Sequence, residues 1–175
     1  MVLLLGTLMS KFLNIRGGEE LAKALQSLPT RIERNILRSA MRAGARVIAN
    51  EAKGNVPVED GDLKRSIRVS TNTRKGEVTA KAVAGGKKVY YAHFVEFGTV
   101  GHIISAKPGS VLRFTTRDGK YHERTSVNHP GARAKPFLRP ALDSKAPQAV
   151  RAVAKQIAAK LTERGIDTPD LGSDD

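Results

Sequence analysis

The strongest constraint on the fold is a helical repeat that begins at Thr30 and extends for more than 20 residues. Apolar side chains recur along it every three or four residues, the period of an α-helix with one buried face: Ile32, Ile36, Ala40, Ala43, Val47 and Ile48. Thr30 and Glu33 have the spacing of a capping box, and Gly54 and Pro57 are expected to end the helix. Other elements must therefore pack against this one long helix.

A second face of the same helix carries five arginines at the helical repeat: Arg31, Arg34, Arg38, Arg42 and Arg46. Such a row is usually a solvated helix face, but it could also grip phosphates or an acidic partner. The small residues Ala40, Ala43 and Gly44 would let another backbone approach closely. The long helix is thus expected to have a packing face and a basic face.

Shorter elements surround the long helix in the sequence. A short strand is expected at residues 12–15 and an amphipathic helix before Pro29. Gly61 permits a tight turn before one helical turn that carries Leu63 and Ile67. Alternation of β-branched and polar residues predicts antiparallel strands at 67–73 and 77–83. A final helix is expected to begin at Pro140 and end near Gly165, with Val150, Val153, Ile157 and Leu161 on its apolar stripe.

Residues 101–135 differ in character from the rest and are called the arm. Asp118-Gly119 favours a tight hairpin turn between strands at 111–117 and 120–127. Few of its residues are apolar, so we expect the hairpin to project from the core. Basic residues outnumber acidic ones, and we predict that six contact a partner: Arg113, Arg117, Lys120, Arg124, Arg133 and Lys135.

These elements predict an α+β fold, in which a small antiparallel sheet packs against the long helix and a C-terminal helix. One domain is expected at residues 11–165, after a flexible extension at 1–10 and before an acidic, disordered tail at 166–175. Thirty Lys and Arg against 17 Asp and Glu give a net charge of +13, which attracts phosphate backbones or acidic protein surfaces. The longest apolar stretch, at residues 1–5, is far shorter than the ~20 residues that span a bilayer.

No pattern in the sequence predicts catalysis or a cofactor. The absence of cysteine excludes disulfides, thiolate zinc sites and a cysteine nucleophile. His93 and Glu96 have a spacing that metal ligands use, and Glu59, Asp60 and Asp62 could hold magnesium in a nuclease, but a capped turn is the better interpretation of the latter. Residues 85–88 lack the full phosphate-loop pattern. We therefore expect no enzyme activity, metal or cofactor.

Aromatic residues cluster just before and within the run that ends at Gly98. They are Tyr90, Tyr91, Phe94 and Phe97. Such side chains could stack on bases, but their spacing and apolar neighbours favour the core. The bulky residue Phe137 is likewise expected to be buried. Proline at position 147 is expected in the first turn of the last helix or at a kink.

Three motifs in order carry a family resemblance: Leu63-Lys64-Arg65-Ser66-Ile67 after Gly61, then residues 91–99, then residues 135–141. Together they resemble the tailed-phage neck and tail-completion family typified by gene product ten of the Hong Kong coliphage ninety-seven. The resemblance assigns structural roles to Gly61, Leu63, Ser66, Ile67, Tyr91, Ala92, Glu96, Phe97, Gly98, Thr99, Pro136, Phe137, Leu138, Arg139 and Pro140.

The resemblance implies a non-enzymatic virion protein, made in the host cytoplasm, that joins the tail to the DNA-filled head. The expected partners are further copies in a ring, hexameric or matching the neck symmetry, other neck proteins, the tail terminator or tail tube, and DNA passing through the neck. No membrane partner is expected. The alternative is a sequence-nonspecific DNA-binding module that uses the basic arm and the arginine-rich helix.

Overall fold

The computed structural model describes residues 17–116 and 118–168. The chain divides into two compact units, one comprising the residues up to Tyr90 and those from Phe137 onward, the other Tyr91–Pro136. The helices are α1 (Gly18–Gln26), α2 (Thr30–Asn55), α3 (Asp62–Ser66), α4 (Ala92–Phe97) and α5 (Leu138–Thr162). The strands are β1 (Arg68–Arg74), β2 (Glu77–Val83), β3 (His102–Ser105), β4 (Leu112–Thr115), β5 (Tyr121–Arg124) and β6 (Ser126–His129). The α+β class predicted from the sequence is confirmed.

Three expected features fall at the ends of the chain. The strand predicted at residues 12–15 and the extension at 1–10 lie outside the described residues, as does most of the acidic tail. The single domain at 11–165 stays a prediction.

The first unit is built on the packing of α2 against α5. The amide of Gln156 donates to the Ser39 hydroxyl at 3.1 Å, and Lys145 pairs with Glu51 at 3.7 Å, so the two helices run antiparallel. Together with α1 they form one apolar core, which consists of Leu21, Leu25, Ile36, Ala40, Val153, Ala154, Ile157 and Leu161. The apolar stripe predicted for the last helix is therefore confirmed, since all four of its residues are buried.

The β1–β2 hairpin packs against α2. The strands pair in register from Arg68 with Val83 to Arg74 with Glu77, which leaves a two-residue turn. Lys75 and Gly76 both have positive φ, 51° and 82°, the pattern of a type I′ turn that suits the twist of a hairpin. The hairpin predicted from the sequence is confirmed with its boundaries shifted by one residue.

The beginnings of α2 and α5 each depart from the sequence prediction in one respect. Thr30 is the first residue of α2, because the Pro29 carbonyl already accepts the amides of Ile32 and Glu33, and no side chain caps the helix. The predicted capping box is therefore wrong, although the boundary is right. Helix α5 begins at Leu138, two residues before Pro140, a position in the first turn where proline costs no hydrogen bond.

Pro147 lies in the interior of α5, so of the two positions predicted for it the first turn is wrong. The proline has no N–H to donate to the carbonyl one turn earlier. The helix nonetheless continues to Thr162, because residues after the proline are buried in the core, Val150, Val153 and Ile157 among them. Tertiary packing therefore outweighs the local cost of the proline.

The second unit contains α4 and an antiparallel ribbon. Strand β4 pairs with β5, so the predicted hairpin is confirmed, with strands shorter than predicted. A second pair, β3 with β6, was not predicted. The amide of Thr116 donates to the Lys120 carbonyl at 2.9 Å, and Gly119 in the loop has a φ of 81°. At the other end, Thr99 and Ala132 form an isolated bridge.

The aromatic cluster is largely exposed, and the prediction that it belongs to the core is wrong. Helix α4 has only six residues, and its buried positions, Ala92 and Glu96, lie four apart on one face. The larger aromatic side chains lie off that buried face. Tyr90 is 70% exposed, Phe94 41% and Phe97 64%, and Tyr91 is half-buried. None of the described helices is long and apolar enough to cross a membrane.

Candidate interaction surfaces

The candidate metal ligands named from the sequence lie within the described residues, 17–116 and 118–168. No group of three His, Asp or Glu side chains there could hold a metal ion. His93 is exposed while Glu96 is buried, so the two candidates on α4 differ in environment. Asp62 pairs with Arg65, whose guanidinium also donates to the Asp60 carbonyl at 3.0 Å. The acidic turn is thus held by an arginine.

The basic residues of the arm lie on its exposed surface. Arg113 Nε contacts Glu123 Oε1 at 3.0 Å across the β4–β5 pair, and Lys120 Nζ lies 3.4 Å from Asp118. Three more of the predicted contact residues are exposed: Arg124, Arg133 and Lys135. Arg117 lies outside the described residues. Their contact with a partner remains a prediction.

The arm also exposes apolar side chains. None of the described residues from 97 to 136 is buried. Val100 is 84% exposed, Ile103 70% and Tyr121 61%. A two-stranded ribbon with no buried face is marginally stable in water. Exposed apolar residues of this kind commonly mark a surface that a partner covers.

Hydrogen bonds within the arm perturb two titrating groups. The Tyr121 hydroxyl donates to Glu123 Oε1 at 2.9 Å, and this bond raises the pKa of Tyr121, because ionising the tyrosine would remove the donated proton and leave two negative groups in contact. A hydrogen bond with the Thr116 side chain lowers the pKa of Asp118. Both groups are exposed, and their pKa values report on local order in the arm.

The base of the arm depends on two glycines of the second unit. Gly98 has a φ of 72°, and a Cβ there would lie 2.6 Å from the Ala132 carbonyl oxygen. Gly131 has a φ of 89°, and its Cβ would lie 2.2 Å from the Thr99 carbonyl oxygen. The bridging strands can therefore approach only without side chains at these positions.

The first motif of the family resemblance positions α3 in the first unit. Gly61 precedes α3 with a φ of 75°, and Leu63 and Ile67 are 5% and 2% exposed. The Ser66 hydroxyl donates to the Leu63 carbonyl at 2.7 Å and accepts the Gly85 amide at 2.9 Å. Ser66 therefore ties the end of α3 to the loop after β2, a role that the sequence alone did not indicate.

The third motif leads into α5. Phe137 is fully buried, as predicted, Ala141 is also buried, and Leu138 is half-buried. The remaining motif residues are exposed: Lys135, Pro136, Arg139 and Pro140. In the second motif, Glu96 is 7% exposed. No buried side-chain nitrogen or oxygen in the described part of the chain lacks a hydrogen-bond partner, so the burial of this carboxylate is compensated.

A basic groove lies along α2. It has a volume of about 330 Å³ and is lined by Asn35, Arg38, Ser39, Arg42, Ala43, Arg46 and Gln156. Arg38 donates to the Thr73 hydroxyl and Arg42 to the Thr71 hydroxyl, both at 3.1 Å. The sequence predicted the row of arginines but not these threonine partners, which alternate on β1 and could have been paired with the helical repeat.

Comparison with known proteins gives one match. The model of the HK97-gp10-like family, described as "Bacteriophage HK97-gp10, putative tail-component", matches residues 19–98. No curated protein and no solved structure matches the chain. The matched segment runs from α1 to Gly98 and so includes the first motif and all but the last residue of the second, whereas the arm and α5 lie beyond it. Over residues 19–98 the resemblance to the HK97-gp10-like bacteriophage family is therefore confirmed.

Proposed function

We propose that this protein is a non-enzymatic structural component of a tailed-phage virion, which completes the tail at the neck and joins it to the DNA-filled head. The family match indicates a bacteriophage tail component. The position at the neck is the finer part of the proposal. It would place the protein in the virion after synthesis in the host cytoplasm.

The observation that carries the proposal is the arm, which is built as a ribbon but has no buried residue between positions 97 and 136 among those described. Ordering such a segment costs conformational entropy that its own contacts offset poorly. Burial of Val100, Ile103 and Tyr121 against another subunit would supply the missing stabilisation. Its unpaired basic residues would orient the contact and speed the encounter.

The partners proposed for this protein are other copies of itself in a ring that is hexameric or matches the neck symmetry. Further contacts would be with other neck proteins and with the tail terminator or tail tube. Genomic DNA would pass through the ring, and the excess of basic residues would suit that passage.

Deletion of the gene tests the proposal. Electron microscopy of the lysate should show filled heads together with tails, complete or defective, that do not join. Supplying the intact gene in trans should restore joined particles. Infectious particles in normal yield from the deletion strain would overturn the proposal.

A further inference from the structure

The groove along α2 places positive charge in an ordered array without carboxylate partners. Arg38, Arg42 and Arg46 occur at every fourth position, and within the described residues none of them forms an ion pair. The neutral hydroxyls of Thr73 and Thr71 hold Arg38 and Arg42 in place without cancelling their charge. Each guanidinium has five N–H donors, so most of its hydrogen-bonding capacity remains available.

The spacing of these arginines matches an extended chain. Residues four apart in a helix are separated by about 6 Å along its axis, and alternate residues of a strand by about 6.6 Å. The protein already uses this match, because Arg38 and Arg42 reach Thr73 and Thr71, two residues apart on β1. A second extended segment on the open side of the groove would meet the same repeat.

We propose that the groove binds an extended acidic segment of a partner protein, with carboxylates at alternate positions facing Arg38, Arg42 and Arg46. Carboxylates accept bidentate hydrogen bonds from guanidinium groups, which gives both charge and geometric recognition. The amide of Asn35 can donate to the segment's backbone carbonyls at the groove edge. A groove with a volume of about 330 Å³ and three arginines along one helix suits a single extended chain better than the wide, rounded surface of a DNA duplex. This inference does not depend on the position of the protein in the virion.

Binding of labelled peptides to the intact protein tests the proposal. A peptide with Glu at every second position should bind, and a peptide of the same length and charge with its Glu residues clustered at one end should bind about tenfold more weakly. Substitution of the three arginines by glutamine should abolish the difference in affinity between the two peptides. The matched control K81Q/K87Q/K88Q removes the same charge from exposed lysines and should leave it intact.

The single variant Arg46→Gln separates binding from folding, because both threonine hydrogen bonds remain in it. It should weaken binding of the alternating peptide about tenfold with an unchanged thermal melt. The proposal would be overturned if the two peptides bound with equal affinity. It would also be overturned if the arginine and lysine variants lost equal affinity for the alternating peptide. A third outcome would also overturn it: duplex DNA that binds more tightly than the alternating peptide at the same salt concentration, with the DNA binding abolished in the arginine variant.

Discussion

Gly44 on α2 lies directly against Val153 on α5: a Cβ on the glycine would stand 2.6 Å from Val153 Cγ2 and 2.9 Å from the Ala149 carbonyl oxygen. The two helices can approach this closely only because position 44 has no side chain. We predict that Gly44→Ala destabilises the protein by about 1–3 kcal/mol, because the helices must move apart or shift. Chemical denaturation measures the free energy of unfolding.

Gly54→Ala is the matched control for that substitution. Gly54 lies in the same helix, and a Cβ there would meet nothing within 4 Å. The change should stabilise the protein by about 0.5–1 kcal/mol through helix propensity alone. Equal effects at the two positions would contradict the close approach of α2 and α5.

Phe137 and Phe97 should respond very differently to truncation. Phe137 is fully buried, so Phe137→Ala should cost about 3–5 kcal/mol. Phe97 is 64% exposed, so Phe97→Ala should change stability by less than about 0.5 kcal/mol. Thermal melts of the two variants make the comparison. A large loss for Phe97→Ala would restore the expectation from the sequence that this side chain belongs to the core.

Gly131→Ala should open the base of the arm. The new Cβ would lie 2.2 Å from the Thr99 carbonyl oxygen, in a backbone conformation with φ of 89°. Hydrogen exchange at the Thr99 and Ala132 amides, which bridge the strands at 2.9 and 3.1 Å, should accelerate. Gly109→Ala has a similar φ but no atom within 4 Å of its Cβ, so it should leave these amides unchanged. Exchange that rises equally in both variants would point to backbone strain rather than to the clash.

The hydrogen bond between Tyr121 and Glu123 predicts a local pH dependence. The folded-state pKa of Tyr121 is raised, so the stabilisation from this contact is fully present below the ordinary value of 10.0 and is lost as pH rises through the folded-state pKa. Glu123→Gln should lower the Tyr121 pKa toward that ordinary value. NMR titration of the Tyr121 ring in the two proteins measures the change. An unaltered Tyr121 titration in the variant would exclude the contact.

Charge reversal on the arm should impair the joining of heads and tails without unfolding the protein. Arg124, Arg133 and Lys135 suit the test better than Arg113 and Lys120, which are paired with Glu123 and Asp118. Their replacement by Glu should lower the yield of joined particles, while the thermal melt stays unchanged. Reversal of Lys81, Lys87 and Lys88 is the control and should have little effect. Normal joining by the arm variant would mean that the arm does not dock through charge.

Order in the arm should also depend on assembly. We expect the amides of residues 111–116 and 118–127 to exchange rapidly in the free protein and slowly in purified particles, because the ribbon buries none of its side chains. Strong protection in the free protein would show that the ribbon is stable alone.

Sequence periodicity was sufficient to predict those helices and strands that bury one face. The stripe through Ile36 and Ala40 predicted α2, and the alternation of β-branched and polar residues predicted the β1–β2 pair. Periodicity failed in α4, where six residues offer too few turns to define a face, so Phe97 was misplaced. It also missed β3, whose partner β6 lies more than 20 residues later and whose four residues are all exposed.

The candidate surfaces were predictable only in part. Basic residues of the arm stand out by composition, but the pairing of Arg113 with Glu123 depends on strand register, which the Asp118-Gly119 turn fixes only near the tip. Prediction of the groove from the sequence would have required knowledge that β1 and α5 both pack against α2. Long-range packing of this kind leaves no local pattern in the sequence.

Helix α5 supplies half of the central core, Val153, Ala154, Ile157 and Leu161, yet it packs against α2, more than 100 residues earlier in the chain. Contacts of such high sequence separation form late and slow folding. During synthesis the hairpin and arm leave the ribosome before the core can close. A chain interrupted before Leu161 would expose the apolar face of α2 to chaperones and proteases, so incomplete subunits would be removed before they could enter an assembly.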